Sequence, residues 1–579
     1  MRKKLPGALE ESKMTCLKLR SFACLAVLAV FAALVVPVRS IAEDLALTLA
    51  ERIRNIKEAN STNDDTTSGL KTPTNLLYNQ MLKSVALIDC TTEDGSSWSG
   101  TGWVLDAKQR LLVTNHHVVE GVEECDVYFP EFIDGQLVTD PARSVVPSRA
   151  IHGRVIDCDE TCDLAIIQVD RLPKDCPALE LAEASATPGQ TIHSIAGSAT
   201  GTQSLWVYSI GHVRQIVRGV LANDQEAMLL ESDMATNQGN SGGPVCDDKG
   251  RVVAVVEGHS TEARLVSIYV ELQSLASYLA EGLRCVDPKT VEDLQFAAER
   301  CLESSRPDAA FKMANAALEL NRKSADLYAL RGWCWYEKDD LESAKGDFED
   351  ALKLDDKCAD AHSGLGQLAF DDYEYEDSIQ HCTTALRIQP ENVDYLVQRG
   401  QAREWNGEFA EARKDYVAAL KINPESAAAL RGRSIIDIEL GDLQAGLTGL
   451  NSIISEYNTD AETFYYAGRA MNGLGQFDDA AIVSRRAIEL DQEFAGAYQQ
   501  LGNALVGLEQ YDEAADVLTT AIELNSEDAV SHFLMGVIMT IRGSTDEATS
   551  YLETALELAE DDEELQASVE ELLNDLRSS

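Results

Sequence analysis

Residues 233–258 read DMATNQGNSGGPVCDDKGRVVAVVEG, with Gly239-Asn240-Ser241-Gly242-Gly243-Pro244 at the centre. A serine flanked by glycines and followed by a valine-rich run suits a nucleophilic hydroxyl. Substrate backbone must approach it closely, and main-chain amides must point at the oxyanion that forms. Flanking glycines permit the tight turn that supplies both. By position, the amides of Gly239 and Ser241 are the expected oxyanion donors. A plain Gly/Ser-rich turn would explain the glycines but not two further elements upstream.

The first is Leu111-Leu112-Val113-Thr114-Asn115-His116-His117-Val118-Val119, a histidine pair where a strand ends. Successive strand residues point to opposite faces, so only one of His116 and His117 is expected to reach a given serine. The second is Cys162-Asp163-Leu164-Ala165-Ile166-Ile167, an acid at the mouth of an apolar strand, where a carboxylate needs a partner. Asp157, Asp159 and Asp170 stand nearby without that setting and are expected to face solvent. The order His, Asp, Ser is that of chymotrypsin-type enzymes and excludes the subtilisin and α/β-hydrolase orders.

These segments resemble the HtrA/DegP group of trypsin-like serine proteases. Thr114-Asn115-His116-His117-Val118 matches the group's Thr-Asn-x-His-Val signature, which assigns the general base to His117. Asp163 matches its Asp-Leu-Ala motif, which implies a carboxylate that orients His117. Gly100-Thr101-Gly102 before the histidine and Gly250-Arg251-Val252-Val253 after the serine extend the resemblance to about 200 residues. It implies a chymotrypsin-like double β-barrel with a cleft between barrels, and peptide-bond hydrolysis through an acyl-enzyme by Ser241, His117 and Asp163. No cofactor and no metal are expected.

Two departures stand out. The peptide-binding regulatory domain common after such proteases is replaced by helical repeats. The walls of the primary specificity pocket are expected from Ala235, Thr236, Asn237 and Gln238 and from Val256, Glu257, Gly258 and His259. Ala235 offers no carboxylate to a basic side chain, so trypsin specificity is not expected, while Glu257 puts a charge where the group has a small or polar residue.

From residue 76 to 285, short runs rich in Val, Ile and aromatics alternate with Gly, Pro, Asn and Asp, which reads as strands and turns. The runs are Ser84 to Cys90, Thr101 to Leu105, Arg110 to Thr114, Asp126 to Phe129, Leu164 to Val169, Thr191 to Ile195, Ser204 to Ile210, Met228 to Ser232, Arg251 to Val256 and Arg264 to Val270. A helix over Leu272 to Leu283 is expected to close this all-β part.

Upstream, Lys18 and Arg20 precede the apolar run Phe22 to Val38 and the small residues Ser40 and Ala42, the pattern of a secretory signal over residues 1–42. The chain is then expected in the periplasm, cell envelope or medium, and a membrane contact only if the signal is kept as an anchor. Residues 43–75 read as a short helix and a polar linker. Eleven cysteines follow the signal. Cys158 and Cys162 lie close together, but no second ligand pair at metal spacing accompanies them, so disulfides or free thiols are expected.

After Cys285 the composition turns to Ala, Leu, Glu, Asp and Tyr with a period of 34 residues. From starts at Val291, Ala325, Ala359, Val393, Ala427, Ala461, Ala495 and Ala529, the eighth position is always small, and the twenty-seventh is Ala except at Ile453. This resembles the tetratricopeptide repeat (TPR) and implies an all-α solenoid of eight repeats over 291–562, with 563–579 as a capping helix. The chain is thus read as multidomain, and at 579 residues it exceeds what one core organises. Barrels and repeats are expected to have separate cores.

A hydrophobic content of 45% and a charged content of 25% are globular values, and the net charge of -48 disfavours nucleic acid. The expected partners are polypeptide substrates and a protein or peptide ligand in the repeat groove, of basic or mixed charge. The functional expectation is a serine endopeptidase with a recruiting array; the alternative is an interaction scaffold with a weak or inactive protease fold.

Overall fold

The structure, a computed structural model, describes residues 74–578 apart from 93–96, 134–135, 200–203, 222–225, 237–238, 260–266, 457–459 and 560–561. The expected signal and the helix expected over 43–58 lie outside the described residues.

Runs of alternating or continuous burial become strands because one or both faces meet a core. Helix α1 (Thr74–Leu82) leads into β1 (Val85–Thr91), β2 (Ser97–Asp106), β3 (Leu111–Thr114) and β4 (Glu124–Tyr128). A small hairpin of β5 (Phe132–Ile133) and β6 (Gln136–Leu137) follows, then β7 (Ile151–Asp159) and β8 (Leu164–Val169). The first barrel closes in the order β1-β2-β3-β8-β7-β4. The second is built of β9 (Thr191–Ala199), β10 (Ser204–Val220), β11 (Glu226–Ser232), β12 (Pro244–Cys246), β13 (Val252–His259) and β14 (Ser267–Glu271), in the order β10-β11-β14-β13-β12-β9. Closure removes the unpaired edges that invite aggregation. Helix α2 (Leu272–Gly282) then buries Leu275, Tyr278 and Leu279 in the core around Trp103 and Leu164.

The double barrel is the expected architecture, but β7 and β12 were not among the expected strands. His152 and Arg154 interrupt the apolar run of β7, and a bulge between Val155 and Asp157 breaks its alternation. β12 has three residues beginning with a proline, too short to signal itself.

In the second half each repeat start is the first residue of a helix. The pairs are α3 (Val291–Glu303) with α4 (Pro307–Leu320), α5 (Ala325–Glu337) with α6 (Leu341–Leu354), α7 (Ala359–Asp371) with α8 (Tyr375–Ile388) and α9 (Val393–Trp405) with α10 (Phe409–Ile422). They continue as α11 (Ala427–Glu439) with α12 (Leu443–Glu456), α13 (Ala461–Gly473) with α14 (Phe477–Leu490), α15 (Ala495–Gly507) with α16 (Tyr511–Leu524) and α17 (Ala529–Ile541) with α18 (Thr545–Leu558), before α19 (Glu563–Ser578). The period follows from packing. A Cβ on Gly332 would stand 2.6 Å from Phe348, and one on Gly536 the same distance from Leu552. The small residue of one helix receives the large one of its partner.

The described residues to Gly364 form one compact unit and those from Leu365 a second. Within the first, the barrels and the first repeats keep separate apolar clusters, which meet at a small contact. Phe296 and Ala297 of α3 pack with Cys285, Ile156 and Met313, and Arg300 of α3 bonds to Asp157 of β7. All eleven cysteines beyond the signal segment are free thiols.

Candidate active site

Both histidines lie past the end of β3, in a bend and turn, so strand alternation does not decide which is presented. β3 ends at Thr114, after which His116 is buried, while the His117 side chain is 44% exposed and faces Asp163. His117 Nδ1 lies 2.8 Å from Asp163 Oδ2, and the His117 main-chain N–H donates to Asp163 Oδ1 at 2.9 Å. Facing an ionised carboxylate, which only accepts, Nδ1 carries the ring proton and leaves Nε2 with its lone pair. Burial works against the imidazolium, but the hydrogen bond and charge of Asp163, with the charges of Glu257 and Glu120, outweigh it and hold His117 above its ordinary value.

Asp163 is the last residue of the turn between β7 and β8, buried and at φ 50, a left-handed conformation uncommon outside glycine. Asn115 Nδ2 donates to its carbonyl at 2.7 Å, so the residue two before His117 holds the partner's backbone. The neighbouring acids do not all face solvent. Asp157 is 2% exposed and paired with Arg300, and Asp159 accepts from Thr161 N at 2.9 Å within the turn.

Ser241 sits where the two barrels touch. Its carbonyl accepts from Thr101 N at 2.8 Å, and Thr101 Oγ1 donates to Gly239 O at 2.7 Å. Gly239 and Gly242 have φ of 89 and 81, and a Cβ on Gly242 would lie 2.2 Å from both Thr101 O and Thr114 Oγ1. No other residue fits at Gly242. The Ser241 hydroxyl donates to the main-chain carbonyl of Glu257 at 3.1 Å rather than to His117.

Of the expected pocket residues, Ala235 is exposed and Thr236 Oγ1 bonds Ser267 Oγ at 2.8 Å, while Val256 is buried and exchanges main-chain bonds with Gly242 and Gly243. Glu257 is the extra residue of a bulge in β13 opposite β14, between Val256 and Gly258, which breaks the alternation there. Gly258 and His259 continue β13; Asn237 and Gln238 lie outside the described residues. Thr101 was not anticipated as a structural tie to the serine turn, although its setting between Gly100 and Gly102 is the available signal. A Cβ on Gly100 would press Val118 at 2.5 Å.

Residues 100–255 match the trypsin-like peptidase domain, and residues 336–393, 397–461 and 500–563 match the tetratricopeptide repeat. Over 158 residues the chain is 29% identical to the protein named "Probable periplasmic serine endoprotease DegP-like" in Hahella chejuensis, covering 27% of this chain and 29% of that one. It is 27% identical over 174 residues to the serine protease Do-like HtrA of Bacillus subtilis, covering 28% of this chain and 34% of that one. The chain spans about two fifths or less of the length of the curated relatives it matches. Among solved structures, the active form of the Rv3671c protease from M. tuberculosis is similar over 38% of this chain and 93% of that one, at 21% identity and a TM-score of 0.30. Two closed barrels and the family match together define a trypsin-like peptidase domain. That domain is homologous to the HtrA/DegP serine proteases, and tetratricopeptide repeats follow it in the same chain.

Proposed function

We propose that this protein is a secreted or periplasmic serine endopeptidase that cleaves peptide bonds with Ser241, His117 and Asp163 and recruits polypeptides through its repeats. The observation that carries the reading is that both Asp163 oxygens are spent on His117, one on the ring and one on the main chain. That double contact fixes tautomer and orientation, as a general base requires.

For attack, the Ser241 hydroxyl leaves the Glu257 carbonyl and gives its proton to His117 Nε2 as Oγ bonds to the substrate carbonyl carbon. The carbonyl oxygen becomes an oxyanion held by the amides of Gly239 and Ser241. His117 then protonates the leaving amine and the C–N bond breaks, leaving an acyl-enzyme. A water, deprotonated by His117, hydrolyses the ester and restores Ser241. Neither cofactor nor metal enters the cycle.

The signal-like segment supports an extracytoplasmic location, testable by sequencing the N-terminus of the mature protein. Repeats of this kind bind proteins or peptides, and the acidic chain favours basic or mixed segments over nucleic acid. Fluorophosphonate labelling of the full chain, abolished in Ser241→Ala, tests the catalytic reading. Because the Ser241 hydroxyl rests on Glu257, a second reading has the barrels serve as a silent scaffold. Absence of labelling in folded protein decides for it.

A further inference from the structure

The turn that carries Asp163 is held from outside the barrels. Arg300, on α3 of the first repeat, is 6% exposed, yet its guanidinium cannot lose its proton and must find anionic partners. It finds Asp157 in a fork, Nε to Oδ1 at 2.7 Å and Nη2 to Oδ2 at 3.0 Å. Two further contacts reach Asp159 Oδ2 at 3.4 Å and Glu281 Oε2 at 3.2 Å. α2 completes the enclosure: Tyr278 OH donates to the Asp157 carbonyl at 3.1 Å, and Gly282 leaves no room for a Cβ beside Asp157.

Asp159 relays this grip. While Oδ2 faces Arg300, its Oδ1 accepts from the main chain and hydroxyl of Thr161 and from Cys162 N at 3.4 Å. The turn ends at Asp163, whose N–H donates to Glu160 O at 3.3 Å and whose carboxylate holds His117. An unbroken series of hydrogen bonds and four chain residues therefore joins the first repeat to the candidate base. The next turn of the repeat adds a second hold: Arg306 donates to the carbonyls of Val155 and Ile156, and Glu123 of the barrel accepts from Ala309 N at 2.7 Å at the start of α4.

We propose that Arg300 is a positioning residue for the active site, through which the first repeat orders the Asp159–Asp163 turn and so the Asp163–His117 pair. This rests on the catalytic reading above for its effect on turnover, but not for its effect on His117. The repeat array is in this view a structural part of the protease, and displacement of α3 lowers turnover without touching substrate.

The test uses the full chain with isotope-labelled histidine, the His117 resonance being assigned with His117→Gln, and follows its titration by NMR. The charged groups facing His117 are Asp163, Glu257 and Glu120; those around Asp157 and Asp159 are Arg300, Arg306, Glu281 and Glu303. Arg300→Met is expected to lower the His117 titration midpoint by about one pH unit, since the turn no longer holds Asp163 against the ring. Arg300→Lys, which keeps the charge but not the fork, should fall between. On a short peptide, kcat should drop about tenfold or more with KM little changed. Should Arg300→Met not fold, Asp159→Ala cuts the relay while sparing the Arg300–Asp157 pair and should give the same two shifts. A wild-type His117 midpoint and kcat in a folded variant of either kind, even with a lowered melting temperature, overturns the proposal. If the wild type itself is inert, the catalytic reading fails while the His117 titration still decides this one.

Discussion

Thr101 Oγ1 donates to the carbonyl of Gly239 at 2.7 Å, tying β2 of the first barrel to the serine turn of the second. The same oxygen accepts from Gly197 N at 2.8 Å, so one hydroxyl joins three segments that lie far apart in the chain.

Thr101→Val keeps the shape and removes both bonds, leaving the half-buried Gly239 carbonyl and the buried Gly197 amide without that partner. We expect a loss of about 1–3 kcal/mol in stability. We also expect about a hundredfold fall in kcat/KM as the Gly239 amide drifts from the oxyanion position. Denaturant melts and peptide kinetics check both; unchanged kinetics in a folded variant would show that the tie is dispensable.

Ser241→Ala should abolish peptide hydrolysis with little effect on folding, as only a small hydroxyl is lost. His117→Ala should be about as damaging, because members of such a set act as a unit. His116 is buried while His117 holds both Asp163 contacts, so His116→Ala should cost stability but leave the activity of the folded fraction near wild type. The reverse ranking of the histidines in steady-state assays would sink the assignment.

The pH profile has a defined sign. His117 must be neutral to accept the serine proton, and Asp163 holds it above its ordinary value, so kcat/KM should rise with pH through a midpoint higher than about 6.5. In Asp163→Asn the midpoint should move down, together with a large loss of rate. A wild-type midpoint below that of free imidazole would contradict the pairing.

Cutting the chain after Lys289 removes Arg300 and leaves Asp157 of β7, packed beneath α2, without its partner. A buried carboxylate stripped of its partner costs about 3–5 kcal/mol. A chain ending at Asp356, which keeps the first two repeats, should therefore melt well above one ending at Lys289. Equal melting temperatures by calorimetry would show that the barrels are self-sufficient.

In the second unit, burial pushes the Glu404 carboxyl up to about 7, against the hydrogen bond it accepts from Tyr416 at 2.7 Å. Its folded value exceeds its unfolded one, so the folded state binds more protons between the two, and stability falls as pH rises across that window. Glu404→Gln, which still accepts from Tyr416, should raise the melting temperature at about pH 8 and lose that advantage at about pH 4. A gain that is the same at both would assign the effect to packing.

The catalytic candidates were legible because each sits in a short local pattern, a strand end or a glycine turn whose chemistry shows in five or six residues. The repeats were legible for a different reason: a small residue opposite a large one recurs every 34 positions, as Gly332 against Phe348 and Gly536 against Leu552 show. What was hidden is long-range. Arg300 and Asp157 are 143 residues apart, and each alone reads as a solvent-facing charge. β7 was hidden further by His152 and Arg154 in its apolar run and by its bulge, while its buried aspartate makes sense only with the distant arginine. Thr101 gave only the neighbouring glycines as a hint, because its partners belong to another barrel.

The bond from the Ser241 hydroxyl to the Glu257 carbonyl separates readiness from reaction. With the hydroxyl resting there, a side-chain rotation precedes any encounter with an electrophile. The observed rate with a covalent reagent is then the intrinsic rate scaled by the fraction of molecules whose serine has already turned. A ligand that binds beside Glu257 and displaces that hydroxyl would accelerate acylation by a second, smaller molecule. Slow labelling by a generic probe would in that case measure a conformational equilibrium and not a weak nucleophile.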